Sequence, residues 1–136
     1  MSRISPQMVI AIGICLSVVG MVRADSFNGE VVRAQFTTKI KNNEPQNEVL
    51  VLENNAGEIY FFTELRGIQD KAIFHRWEYE GDVVKKQRIT INKGQTRFYS
   101  KHKLLPKQTG KWTVVVTNEK GWPLKAAIFK YVKKKP

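Results

Sequence analysis

The sequence is short of cysteine, and this scarcity limits the chemistry open to the protein. Cys15, its single cysteine, lies in a hydrophobic run near the N-terminus. Ile14 precedes it, where a lipid attachment signal requires a small residue, so we expect no lipidation at Cys15. The sequence beyond this run contains no cysteine, which excludes a disulfide, a thiol nucleophile and a zinc–thiolate cluster there. Its fold must therefore be held by packing and hydrogen bonds.

Long apolar segments are also scarce. Residues 8–22 form a run of fifteen residues without charge, which is shorter than the roughly 20 apolar residues that span a bilayer comfortably. Arg3 precedes the run, and Val22 and Ala24 occupy the two positions that a signal peptidase reads. The pattern predicts a signal peptide over residues 1–24, cleaved after Ala24. We expect a periplasmic or secreted protein with no transmembrane span after cleavage; the alternative is an uncleaved signal that anchors the chain to the inner membrane.

Acidic residues are scarce in the second half of the predicted mature chain, residues 25–136. Residues 25–84 carry six basic and eleven acidic side chains, whereas residues 85–136 carry fifteen basic side chains and only Glu119. The mature segment has 112 residues and a net charge of +9. This is the size of one domain, and the segment ends in a basic tail. The charge asymmetry indicates an anionic partner or surface, or a basic surface that only aids solubility.

The mature chain has only two histidines, His75 and His102, and no enzyme motif surrounds either of them. A hydrolase needs a nucleophile beside a base and a third group that orients the base. Ser100 is close in sequence to His102 alone. Two histidines without a short fixed spacing also make no credible set of metal ligands. We therefore expect no enzyme activity, no cofactor and no metal, with an envelope hydrolase that depends on His75 as the alternative.

Helical periodicity is missing from the mature chain, and the pattern is that of β-strands. Apolar and polar side chains alternate with the two-residue repeat of a half-buried strand. About eight short strands at this spacing are typical of a sandwich. They are predicted over residues 32–40, 48–52, 58–65, 73–79, 83–91, 97–100, 112–117 and 124–132, with hairpin turn chemistry at residues 54–57 and a loop at residues 102–108.

Two features favour an immunoglobulin-like fold among the all-β architectures. Trp77 stands in the third or fourth strand, where a buried tryptophan often anchors such a core, and residues 110–116 are typical of a penultimate strand that enters from a tight corner. Tyr60, Phe61 and Phe62 in a row indicate a strand that is covered on both faces. We predict an immunoglobulin-like antiparallel β-sandwich of about 7–8 strands; a small OB-like β-barrel is the alternative.

Separated blocks of sequence resemble a known family. They are VRAQFTT at residues 32–38, IYFFTEL at 59–65, HRWEY at 75–79 followed by Gly81, residues 97–101, and GKWTVVV at 110–116. In this order they are similar to the bacterial domain-of-unknown-function family 2914. The resemblance covers nearly all of the mature chain and implies a small exported β domain of the cell envelope. It implies no activity and supplies no catalytic residues.

A binding module is the function that we expect. Cations and aromatic rings interleave between residues 97 and 111, and such a surface holds phosphate or carboxylate groups by charge and places rings against sugars. The expected partner is an anionic envelope component (lipopolysaccharide, peptidoglycan or phospholipid head groups) or an acidic protein, and the alternative is a protein–protein assembly module of the periplasm. We expect no specific nucleic acid partner, because export removes the protein from the cytoplasm. The candidate binding residues are Arg76, Arg97, Tyr99, Lys101, Lys103, Lys107 and Lys111.

Overall fold

The structure, a computed structural model of the protein, describes residues 29–136. The predicted signal peptide over residues 1–24 and Cys15 lie outside the described residues. Within residues 29–136 there is no helix that is long and apolar enough to cross a membrane.

The described residues form ten β-strands and no helix. Seven strands of seven to ten residues build two sheets that pack face to face, and the shorter strands extend or cover them. In chain order the strands are β1 (Glu30–Thr37), β2 (Ile40–Lys41), β3 (Glu44–Pro45), β4 (Val51–Glu53), β5 (Glu58–Arg66), β6 (Ala72–Tyr79), β7 (Asp82–Thr90), β8 (Arg97–Lys103), β9 (Gly110–Thr117) and β10 (Pro123–Val132).

The strand order is that of an immunoglobulin-like sandwich. One sheet has the order β1-β5-β8 and the other the order β4-β10-β9-β6-β7, while β2 and β3 form a small hairpin of their own. All pairings are antiparallel except that of β4 with β10, which is parallel. The sheets do not close into a barrel. The prediction of an all-β, immunoglobulin-like sandwich is therefore confirmed, and the OB-like alternative is wrong.

One predicted pairing differs from the structure. Residues 54–57 do turn the chain, with Gly57 at a φ of 85°, but they connect β4 in one sheet to β5 in the other. The predicted turn is therefore present, but the two strands that it joins do not form a hairpin. Turn residues specify a change of direction and do not specify which strand the chain then pairs with. A smaller difference is that β8 continues to Lys103, beyond the predicted end at residue 100.

The core between the sheets is built by the inward side chains of every long strand. Trp77 and Trp112 are completely buried, and so is Phe61. Phe36 packs edge-on against both Trp77 and Phe129, with ring centroids 6.0 and 4.6 Å apart. Such aromatic pairs stabilise a core beyond the area they bury, which fits a fold whose described residues contain no disulfide.

The entry to β9 is fixed by Trp112. Its indole Nε1 donates a hydrogen bond to the backbone oxygen of Gln108, 3.0 Å away, in the loop that precedes the strand. Immunoglobulin folds commonly use a tyrosine hydroxyl to tie this corner to the backbone a few residues upstream. Here a tryptophan makes the equivalent bond, and β9 is the penultimate strand, as predicted.

Candidate functional site

The candidate residues on β8 share the outer face of the three-stranded sheet. Phe98 and Ser100 point into the core and are buried. Because side chains alternate along a strand, Arg97, Tyr99, Lys101 and Lys103 point outward. The structure therefore brings four of the seven predicted residues to one surface.

Arg97 is already held by two carboxylates on that surface. Its Nη1 lies 3.0 Å from Glu44 Oε1 and its Nε 3.4 Å from Glu64 Oε2. Arg33 joins the same two acids, at 2.8 Å from Glu44 and 2.6 Å from Glu64. Hydrogen bonds from Arg33 lower the pKa of both carboxyl groups below their ordinary value. The two arginines and two acids balance in charge, so Arg97 offers little attraction to an external anion.

The role of this ion cluster is to cover Phe62. Phe62 points to the outer face of β5, yet it is completely buried. The guanidinium carbon of Arg33 lies 4.8 Å from the centre of its ring, and Glu44 reaches over from the β2–β3 hairpin to hold Arg33 in place. The strand is thus covered on both faces, as the run of aromatic residues predicts. The sequence analysis did not identify Glu44, because nothing in the sequence marks it as a partner of Arg97, which is 53 positions away.

Tyr99 and Lys101 form the open part of the same face. Tyr99 is 46% exposed and packs edge-on against Tyr60, with ring centroids 5.8 Å apart. Lys101 Nζ lies 5.9 Å from the centre of the Tyr60 ring and 3.7 Å from Glu58. The contact with Glu58 pairs one exposed cation with one exposed acid. Such a surface salt bridge contributes little to the free energy of unfolding.

Lys107 and Lys111 lie at the end of the sandwich where β8 finishes at Lys103. At this end Asn54 joins three segments. The Asn54 side chain donates to the backbone oxygen of Pro106 at 3.0 Å and accepts from the backbone N–H of Lys134, also at 3.0 Å. The Tyr131 hydroxyl donates to the backbone oxygen of Asn54 at 3.1 Å. The loop after β8 and the C-terminal tail are therefore fixed beside each other.

This arrangement defines a surface that we name the basic end. Its lysines are all exposed, and none forms a salt bridge with another described residue. Acids are present there too: Glu58 lies opposite Lys103 in the β5–β8 register, and Glu80 accepts the backbone N–H of Lys111 at 3.0 Å. The basic end consists of Lys103, Lys107, Lys111, Lys130, Lys133, Lys134 and Lys135.

One pair within the basic end carries an unfavourable interaction. Lys111 on β9 and Lys130 on β10 are register partners, and both point outward because their neighbours Trp112 and Phe129 are buried in the core. Like charges directly opposite each other on neighbouring strands destabilise a sheet. A bound anion would remove that repulsion.

Arg76 is separate from the other candidate residues. It lies on β6, on the outer face of the five-stranded sheet, and its Nε donates to Glu78 Oε2 at 2.8 Å along the same strand. The sequence places it among the candidates because of its charge, but the fold puts it on the opposite sheet from Arg97.

The residues suggested for a hydrolase lie in the core. His75 is completely buried; its Nδ1 is 2.7 Å from Ser100 Oγ and its Nε2 3.2 Å from Thr63 Oγ1. Ser100 also accepts a hydrogen bond from Trp77 Nε1 at 3.2 Å. Burial, with a smaller effect of the Lys85 charge, lowers the pKa of His75 to about 3. A hydroxyl beside an imidazole is part of a hydrolase site, and Ser100 and His75 have this contact. Here, however, the neutral imidazole is held between two hydroxyl groups inside the sandwich.

Among residues 29–136 no group of three or more His, Cys, Asp or Glu side chains is placed to hold a metal ion.

Comparison with known proteins finds a family match over part of the chain and a weak structural likeness. Residues 70–131 match the family described as "Protein of unknown function (DUF2914)". This segment contains three of the five sequence blocks that resemble the family, and the blocks at residues 32–38 and 59–65 lie outside it. No curated protein matches the chain. Among solved structures, the crystal structure of MHC-like MILL2 is similar with 12% identity and a TM-score of 0.38, over 86% of this chain and 40% of that protein's length.

Proposed function

We propose the function from the site, because the family that residues 70–131 match has a description that defines no activity. We propose that the protein is an exported, non-catalytic binding module of the bacterial cell envelope. In this proposal the basic end engages an anionic envelope component.

The observation that carries the proposal is the junction made by Asn54. It holds the loop that contains Lys107 beside the tail that contains Lys134, through bonds of 3.0 Å on each side. Lysines that are far apart in sequence are thereby presented together. Because they have no salt-bridge partner among the described residues, their charges are available to an external anion.

The chemistry of this surface favours a ligand with several negative groups. A lysine is a compact point charge that attracts phosphate or carboxylate without demanding a fixed geometry. Near anionic lipid each exposed lysine adds about 1 kcal/mol of attraction. Lipopolysaccharide phosphates, the acidic peptides of peptidoglycan and phospholipid head groups all meet this description, as does the acidic surface of a protein.

Co-sedimentation tests the proposal. The full protein, produced with its own N-terminal segment, is mixed with peptidoglycan sacculi and separately with lipopolysaccharide-containing vesicles over a range of salt. We expect saturable binding to one of them that persists at about 0.15 M salt, where the Debye length is roughly 8 Å. Replacing Lys103, Lys107 and Lys111 together by Gln should remove most of it.

A matched triple variant provides the control. Lys71, Lys93 and Lys125 are exposed and lie toward the other end of the sandwich. Changing these three to Gln alters the net charge by the same amount and should leave binding nearly unchanged. Equal loss in the two triple variants would show that only net charge matters, and the basic end would then have no specific role.

Export is tested separately. Cell fractionation, together with mass determination of the purified protein, reports where the protein resides and whether residues 1–24 have been removed. A mature protein that begins at Asp25 in the periplasm or medium is the expected result. A full-length protein in the cytoplasm would contradict the envelope role.

A second candidate function, a protein–protein assembly module, is favoured by the edge strand β7. Among the described residues this nine-residue strand pairs only with β6, and Val83 and Val84 are 53% and 46% exposed on it. An open strand edge can receive an extended segment of a partner. Binding of this kind should depend weakly on salt and should be lost on Val84→Pro, whereas the triple lysine variant should keep it.

The buried pair of His75 and Ser100 is where hydrolase activity would have to originate. The non-catalytic proposal predicts no turnover of sacculi or lipopolysaccharide by the purified protein. Turnover that disappears in His75→Ala, in a variant shown to remain folded, would favour the hydrolase instead.

A further inference from the structure

A cleft lies on the outer face of the five-stranded sheet, away from the basic end. Its volume is about 210 Å³. Phe74 and Arg76 on β6 and Lys86 on β7 form the floor. The wall is formed by the end of β9 and the turn that follows it, through Thr117, Glu119, Lys120 and Gly121. The turn lies next to the floor, because Thr117, the last residue of β9, is the register partner of Phe74.

The floor of the cleft places two cations against each other. Arg76 and Lys86 are register partners on β6 and β7, so their side chains leave the sheet side by side. Like charges directly opposite each other destabilise a strand pair. Two cations at this place therefore do not serve the pairing of β6 with β7. Lys120 brings a third positive charge from the wall.

The acids near the cleft leave this charge incompletely balanced. Glu78 accepts from Arg76 Nε at 2.8 Å. Glu119 accepts a hydrogen bond from the backbone N–H of Lys71 at 2.8 Å and lies 3.6 Å from Arg88. A third acid, Asp70, accepts a hydrogen bond from the backbone N–H of Glu119 at 3.1 Å. Neither Lys86 nor Lys120 has a salt-bridge partner within residues 29–136.

Counting these groups gives the charge that a ligand would have to match. The lining holds three cations and one carboxylate, Glu119. Glu78, Asp70 and Arg88, which contact the lining residues, together add one negative charge, so one to two positive charges remain. A phosphate monoester carries −1.5 to −2 charges at pH 7 and three acceptor oxygens.

The wall of the cleft is fixed before any ligand arrives. The side-chain oxygen of Asn118 accepts the backbone N–H groups of Lys120 and Trp122, at 3.0 and 2.9 Å. Its backbone oxygen accepts from Gly121 at 3.0 Å, where φ is 86°. A preformed turn avoids much of the entropic cost of ordering a loop on binding.

We propose that this cleft is a binding site for a phosphate monoester group, held by Arg76 and Lys86 from the sheet and by Lys120 from the turn. The ligand that carries the group is either a soluble sugar phosphate or the head group of a phosphomonoester lipid. The site is distinct from the basic end and does not depend on it.

Titration of the full protein with glucose 6-phosphate, followed by two-dimensional ¹H–¹⁵N NMR, tests the site. We expect saturable shifts at residues 74–76, 86 and 117–121, and none with glucose. Lys86→Gln combined with Lys120→Gln should weaken binding at least tenfold, because both side chains are exposed and their removal leaves the core intact. The control pair Lys93→Gln and Lys125→Gln should change the affinity less than twofold.

Vesicles that contain phosphatidic acid separate the two sources of the phosphate. Binding to glucose 6-phosphate alone identifies a soluble ligand, and additional cleft-dependent binding to the vesicles identifies a lipid head group. The triple variant of Lys103, Lys107 and Lys111 should retain glucose 6-phosphate binding, so loss of the basic-end function does not affect this result. Lack of saturable binding to both probes, or equal weakening in the cleft and control variants, would overturn the proposal.

Discussion

Below pH 6.5 the stability of the protein should fall steadily, because the buried His75 must remain neutral in the folded state. Its pKa is lowered from 6.5 to about 3, so in this range the unfolded chain binds one proton that the folded protein does not. A group with a lowered folded-state pKa contributes stability that is present above its unfolded pKa and lost as the pH falls. The slope is about 1.4 kcal/mol per pH unit, which amounts to about 2 kcal/mol between pH 7 and pH 5.

The pH window also separates this effect from those of the carboxylates. Burial lowers the pKa of His102 as well, so the wild-type protein should lose at least the amount expected from His75. Glu44 and Glu64 also have lowered pKa values, but their stabilising effect is lost only as the pH falls below their ordinary value of 4.5. Between pH 7 and pH 5 the slope therefore reports the histidines.

Urea unfolding followed by the fluorescence of the buried Trp77 and Trp112 measures the slope. His75→Gln should be less stable at pH 7 but should lose much less stability down to pH 5 than the wild-type protein loses. Ile73→Val is a suitable control, because it weakens the same strand without removing a titrating group and should keep the wild-type slope. If His75→Gln and the wild-type protein show the same slope, the assignment to a buried neutral imidazole is wrong.

Three further predictions follow from single contacts. Ser100→Ala leaves His75 Nδ1 and Trp77 Nε1 without a partner and should cost about 2 kcal/mol in urea unfolding; a cost below measurement error would mean that the network adds nothing. Phe62→Ala should cost about 3 to 5 kcal/mol by the same assay, while the outward Tyr99→Ala should cost less than about 1 kcal/mol, and equal effects would contradict the covered outer face. Lys111→Glu places an acid opposite Lys130. It should raise the free energy of unfolding by about 0.5 kcal/mol and weaken envelope binding in sedimentation. An increase in both stability and binding would show that the basic end does not bind the envelope component.

Much of the fold is predictable from the sequence because its strands are half-buried. Alternation of apolar and polar residues located all the long strands, and Trp77 and the corner before β9 distinguished the sandwich type. The pairing of β4 with β10 was not predictable, because a three-residue edge strand carries too little pattern to choose a partner. The pair of short strands that carries Glu44 was missed for the same reason.

The candidate site was predictable only in part, because charge in a sequence does not reveal its neighbours in space. Lys103, Lys107 and Lys111 are close in sequence and lie at the same end of the sandwich, on two different sheets and the loop between them. Asn54, which joins that loop to the tail, carries no signal in the sequence. Arg97 follows the same pattern of charge and is balanced by acids from two other strands. Arg76 was selected for its charge, but its neighbours Lys86 and Lys120 become visible only when the sheet and the turn are assembled.

The most direct test of the central proposal is hydrogen–deuterium exchange of the full protein bound to sacculi or to lipopolysaccharide vesicles, measured by mass spectrometry at about 0.15 M salt. We predict that binding slows exchange in residues 103–111 and 130–136, the segments that form the basic end. Slower exchange confined to residues 82–90, on the open edge of β7, would contradict this and favour a protein partner. Failure of the protein to bind to either component would contradict the envelope role itself.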